Sequence, residues 1–121
     1  MIQYVTLGSN DMVRSARFYD AIAGEFGGGR VAEFGEAIAW GTAGGAALVL
    51  TPPWDKAEAR AGNGPMVALE AADRGVVDKV HRLALAKGAV CEGPPGERNP
   101  GFYAAFFRDP DGNKLAVVKR G

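Results

Sequence analysis

Apolar and polar positions alternate along residues 4–8, with Val5 and Leu7 on one side and Tyr4, Thr6 and Gly8 on the other. A period of two predicts a strand that packs one face against helices. Ser9-Asn10-Asp11 then offers helix-capping side chains. Met12, Ala16, Tyr19, Ala23 and Phe26 recur at helical spacing, so a helix is expected over residues 12–26, closed by Gly27-Gly28-Gly29. Short strands are expected at residues 30–34, 37–41 and 46–51, parted by Gly35-Glu36 and Gly44-Gly45. Pro52-Pro53-Trp54 opens a stretch in which neither period holds.

Past that stretch the pattern starts again. Residues 66–70 alternate, with Val67 and Leu69 on one face. Asp73 opens a helix carrying Val76, Val77, Val80, Leu83, Ala84 and Lys87, which Gly88 stops. Strands are expected at residues 89–92, 102–108 and 114–119, with Asp109-Pro110-Asp111-Gly112 as the turn between the last two. Tyr4 aligns on Met66, Val5 on Val67, Leu7 on Leu69 and Asp11 on Asp73 without a gap. The expected fold is therefore α+β: two βαβββ modules forming an open barrel-like cleft. The first module takes about residues 1–52, the linker about 53–63 and the second module about 64–121. One module alone would bury little apolar surface, so both are expected to share a single domain.

Composition narrows the chemistry. Lys+Arg and Asp+Glu are 14 each, so no bulk charge draws the chain to nucleic acid or to an anionic membrane. No apolar run is long enough to span a bilayer, and the first residues do not read as a signal peptide. With a single cysteine, Cys91, the chain forms no internal disulfide, and a cytoplasmic location is expected. A single histidine, His81, excludes a zinc cluster of Cys and His, or a two-histidine metal site, within one chain.

Specific residues carry a family resemblance. Tyr4-Val-Thr-Leu-Gly8, Asp11 and Arg14-Ser-Ala-Arg-Phe-Tyr-Asp20 resemble the opening of the vicinal oxygen chelate superfamily, which includes glyoxalase I, bleomycin-resistance proteins, fosfomycin-resistance enzymes and extradiol dioxygenases. Gly62-Asn-Gly64, Met66-Val-Ala-Leu-Glu-Ala71, Val77-Asp-Lys-Val-His81, Ala86-Lys-Gly88 and Phe102-Tyr-Ala-Ala-Phe106 resemble its bacterial glyoxalase-like branch. Arg108-Asp-Pro-Asp-Gly-Asn113, just before a final strand, is the most specific piece. The resemblance implies a cleft in which a divalent metal, held by His, Gln or Glu, polarises two substrate oxygens or activates dioxygen. The positions it assigns to those ligands are Tyr4, a residue near Val49, Met66 and Ala116. Those side chains make no ligand set for a hard cation, so no metal and no cofactor are expected.

Candidate site residues follow from strand parity and from the resemblance. Tyr4, Trp40, Met66, Glu70, Arg98, Tyr103 and Ala116 are the expected lining of a metal-free cleft for a small organic molecule. Glu70 shares a face with Met66 and Ala68, and could act as a base with Tyr4 if a lyase, isomerase or dioxygenase-type activity persists. A non-catalytic copy whose own side chains fill the cleft is the remaining alternative. Gly96-Glu-Arg98 resembles a loop that runs to the cleft mouth, where an arginine can hold a carboxylate or phosphate. Trp40 reads equally as core, and Trp54 as a packing anchor or dimer contact. His81 reads as a helix residue away from the cleft, Cys91 as a buried, inert thiol, and Asp109 and Asp111 as parts of a turn. The expected partner beyond the small ligand is a second copy of the chain.

Overall fold

The computed structural model describes residues 1–121. Strand β1 (Tyr4–Gly8) leads into helix α1 (Met12–Ala23) and a 3-10 turn (Gly24–Phe26), followed by β2 (Gly29–Phe34), β3 (Ala37–Gly41) and β4 (Ala47–Thr51). The second unit repeats this order with β5 (Val67–Glu70), α2 (Arg74–Ala86), β6 (Val90–Asn99), β7 (Phe102–Arg108) and β8 (Lys114–Arg120). The sheets run β1-β4-β3-β2 and β5-β8-β7-β6, and no strand of one pairs with a strand of the other. In each, the first strand lies parallel to the fourth and the remaining pairs are antiparallel. The fold is thus α+β, with two βαβββ units whose sheets do not close on one another.

Local chemistry sets the element ends. Asp11 Oδ1 accepts from the Arg14 amide at 3.0 Å, and Asp73 Oδ1 from the Val76 amide at 2.9 Å, capping both helices. The α-helical hydrogen bonding of α1 stops at Ala23, short of the expected Phe26, and the tighter turn ends at Gly27 with φ of 71°. The buried line of α1 is Ser15, Phe18, Tyr19 and Ile22. Met12, Ala16, Ala23 and Phe26 are only partly buried, because α1 packs against α2 as well as its own sheet.

Strand β6 is longer than the expected residues 89–92. It continues through Pro94 and Pro95 with register shifts after Cys91, Gly93 and Glu97. As an edge strand it has a side free of ladder bonds, where prolines and bulges are tolerated. Gly96-Glu97-Arg98 is therefore strand, not the loop that the resemblance implied.

Each sheet has two unlike faces. Val5, Leu7, Ile38, Trp40, Leu48 and Leu50 face the helices from the first sheet, as do Leu69, Tyr103, Ala105, Phe107, Leu115 and Val117 from the second. One buried cluster draws on both units, and Phe18 meets Phe107 across them with ring centroids 6.1 Å apart. The opposite faces carry no helix, although Ala37, Ala39 and Val49 on the first and Ala104 and Ala116 on the second are buried among their neighbours.

The Asp109–Asn113 turn latches the units together. Buried Asp109 accepts from the amides of Asp111 and Asn113, from Asn113 Nδ2 and from Tyr19 Oη at 2.6 Å. Asp111 accepts from the Asn10 amide, Arg14 and Ser15, all at or near the start of α1. Asn113 Nδ2 donates to the Gly8 carbonyl at the end of β1. Burial and the Asp109 charge push the Tyr19 phenol well above its ordinary range, so it stays protonated and donates. Tyr19→Phe is expected to lower stability by about 1.5–3 kcal/mol in urea denaturation, the worth of a hydrogen bond to a charged group. Asp109→Ala, which orphans several donors at once, is expected to cost more than that.

Candidate functional site

The open face of the first sheet can be read off the strand register. Tyr4 stands beside Ala47 and Gly41; Thr6 beside Val49, Ala39 and Ala32; Gly8 beside Thr51, Ala37 and Phe34. Small side chains thus form a floor, with Tyr4 and Phe34 at opposite corners. Pro52-Pro53-Trp54 borders the same trough, together with Glu36, Lys56 and Glu58, around a cavity of about 1340 Å³. Tyr4 and Phe34 are each 55% exposed and Trp54 99%. Trp54 is accordingly no packing anchor within the chain.

A second cavity, of about 1060 Å³, lies between strands β1 and β5. Met66 and Glu70 line it from one side and Val5 to Gly8 from the other, with Tyr19, Ile22 and Phe26 among the apolar residues beneath. Neither strand has a hydrogen-bonded strand neighbour on this side. Met66 is 44% exposed and Tyr4 lies on the trough, so neither plugs the space.

The open face of the second sheet carries Ala68, Ala116 and Phe106 in one row, with Glu70, Val118 and Ala104 beside them. Arg98 and Lys114 both approach the Phe106 ring, at 5.5 and 5.7 Å from its centroid.

The expected lining residues therefore separate. Tyr4 and Arg98 are exposed on the helix-free faces, Ala116 points to the second such face but is fully buried, and Met66 and Glu70 border the groove between the sheets. Tyr4 and Glu70 line different cavities and are not brought together as an acid–base pair. Tyr103 faces the helices instead, and Trp40 does so too while also lining the groove cavity with Met66 and Glu70. Trp40 is 3% exposed, packs on Tyr19 at 5.4 Å and donates from Nε1 to Asp20 Oδ1 at 2.9 Å. Arg30 also pairs with Asp20, and its hydrogen bonds hold that carboxyl below the usual range. Tyr103 donates to Asp78 of α2 at 2.6 Å and lies under Arg74. Strand parity accounts for both: Trp40 pairs with Leu48, and Tyr103 flanks Ala104. The same parity, applied to every strand, would have found Phe34 and Phe106.

His81 and Cys91 meet away from both open faces. His81 is 8% exposed, and its Nε2 lies 3.3 Å from Cys91 Sγ. Cys91 is exposed, which corrects the expectation of a buried thiol.

The four positions where the resemblance implies metal ligands hold Tyr4 and Val49 on the first open face, Ala116 on the second, and Met66 just ahead of β5. A phenol, a thioether and two hydrocarbons do not fit a hard divalent cation. Nowhere do three His, Cys, Asp or Glu side chains gather.

Comparison with known proteins agrees with this architecture. The chain matches the model of the Glyoxalase/Bleomycin resistance protein/Dioxygenase superfamily over residues 1–117, and it belongs to that family. It is 33% identical to a glyoxalase/bleomycin resistance protein from Albidiferax ferrireducens, whose crystal structure superposes with a TM-score of 0.93 over 100% of this chain and 99% of that one. A glyoxalase/bleomycin resistance protein/dioxygenase family enzyme from Burkholderia phytofirmans shares the fold at 21% identity and a TM-score of 0.77, covering 96% of this chain and 95% of its own. Lactoylglutathione lyase from Agrobacterium tumefaciens does so at 22% identity and 0.68, covering 98% and 92%. No curated protein matches the chain.

Burial lowers the His81 pKa from its ordinary 6.5, against a smaller opposing pull from Asp78. The unfolded chain therefore takes up a proton at higher pH than the native one. Stability from this residue is complete above pH 6.5 and is lost as pH falls through the native pKa. Urea midpoints between pH 8 and 5 are expected to fall on acidification, and His81→Gln to remove this residue's part of the slope.

Proposed function

We propose that the protein binds a small, flat organic molecule on its open sheet faces without metal and without catalysis. The observation that carries this reading is the set Tyr4, Val49, Met66 and Ala116 at the positions implied for metal ligands. Where a chelating centre would stand it puts an exposed phenol and thioether and two buried hydrocarbons. The trough adds a floor of small side chains between Tyr4 and Phe34, suited to a planar body lying flat.

The reading includes a second copy of the chain. Free edges on β1 and β5, and exposed Ile2, Tyr4, Phe34, Trp54 and Met66, are surface that a two-fold pairing would cover. No helix is long and apolar enough to cross a membrane, and the proposed setting is the cytoplasm, with no role in nucleic-acid binding.

Thermal-shift and calorimetric titrations against planar aromatic compounds, and separately against Mn, Fe, Ni and Zn, test this. A saturating planar ligand at about a hundredfold its Kd is expected to raise Tm by on the order of 10 °C, with no stoichiometric metal uptake. One-to-one metal binding without any organic ligand would reverse the reading. Light scattering is expected to give twice the chain mass of 12.6 kDa.

A further inference from the structure

Arg98 differs from an ordinary surface cation in being held. Its Nη2 donates to the Pro94 carbonyl at 2.6 Å, and its guanidinium lies 5.5 Å from the Phe106 centroid. The guanidinium passes close to two glycines. A β-carbon on Gly96 would stand 2.8 Å from Arg98 Nη1, and one on Gly93 would stand 3.1 Å from Nη2. Neither glycine has a positive φ, and a β-carbon on Gly93 would also stand 3.1 Å from Phe106 Cδ2. Arg98 takes part in none of the chain's ion pairs. Most of its N–H donors are unused, on the face that also carries Ala116.

We propose that Arg98 is the anchor for a carboxylate, and that the molecule bound on the second open face is a planar organic acid. This rests on the metal-free binding reading above and names the ligand class for it. A planar guanidinium beside an aromatic ring offers a carboxylate two parallel N–H bonds while the ligand's body lies against the partly exposed Phe106. One full positive charge suits a monoanion better than a phosphate. The neighbouring Lys114 is already shared with Glu92, at 4.0 Å.

Calorimetric titration of the full chain with 1-naphthoate and the uncharged, similarly shaped 1-naphthamide tests this. The acid is expected to bind about tenfold more tightly than the amide, a preference that added salt reduces. Arg98→Gln is expected to make the two equal, while Arg98→Lys, which keeps charge without the fork, retains part of the preference. Arg98→Lys carries the test if Arg98→Gln fails to fold, and an acid preference left at the wild-type size in that variant overturns the anchor. Equal binding of acid and amide to the wild type, or a preference that survives in Arg98→Gln, overturns the anchor and leaves the metal-free binding reading standing. Binding of neither compound overturns both.

Discussion

A four-stranded sheet roofed by one short helix cannot bury both its own apolar face and the helix's flanks. Here the two units solve this with a common seam, in which α1 and α2 pack against each other while each covers its sheet. Phe18 and Phe107 meet within one continuous core that also holds Ile22, Leu50, Val77, Val80 and Val117. The arrangement has a direct consequence for the outer surfaces. Since both helices sit on the seam side, no helix covers the opposite face of either sheet. The surfaces available for ligands are a by-product of where the core had to go.

Those bare faces are chemically unlike. The first is a shallow bed of small side chains with aromatic corners and a charged rim from Glu36, Lys56 and Glu58. The second is dominated by one phenylalanine between two cations. Neither offers clustered imidazole or carboxylate donors, although the fold belongs to a superfamily named for glyoxalases and dioxygenases. Scaffold and chemistry are separable here, as they are in other widely used folds. Family membership fixes the strand order, and the side chains on the open faces decide what can be held.

The duplication was legible because period-two and helical patterns recur in the same order, with Asp11 and Asp73 both capping helices. Other features were not legible, for physical reasons. Strand β6 runs through Pro94 and Pro95, which local propensity counts against a strand, and only the free edge position makes them acceptable. The α1 stripe follows Phe18 and Ile22 because a second helix competes for its surface, a tertiary effect absent from any single-helix pattern. Among the site residues, Tyr4, Met66, Glu70 and Ala116 come from parity or alignment and lie at open faces or the groove. Trp40 stands out in the sequence for its ring, and its indole N–H instead finds Asp20. The His81–Cys91 contact joins α2 to an edge strand, and no spacing rule announces it.

The Asp109–Asn113 latch has a consequence in time. It joins Gly8 and Asn10 to residues roughly a hundred positions later in the chain. Bringing such distant segments together carries a loop-closure entropy that local helix contacts do not. During synthesis the first βαβββ unit emerges with Ser15 and Tyr19 lacking their carboxylate partners, and its helix lacking the neighbour that completes its burial. That unit cannot reach its final packing until residues 109–113 have left the ribosome. The tandem repeat therefore matures as one body, with its earliest-made half waiting on its latest-made turn.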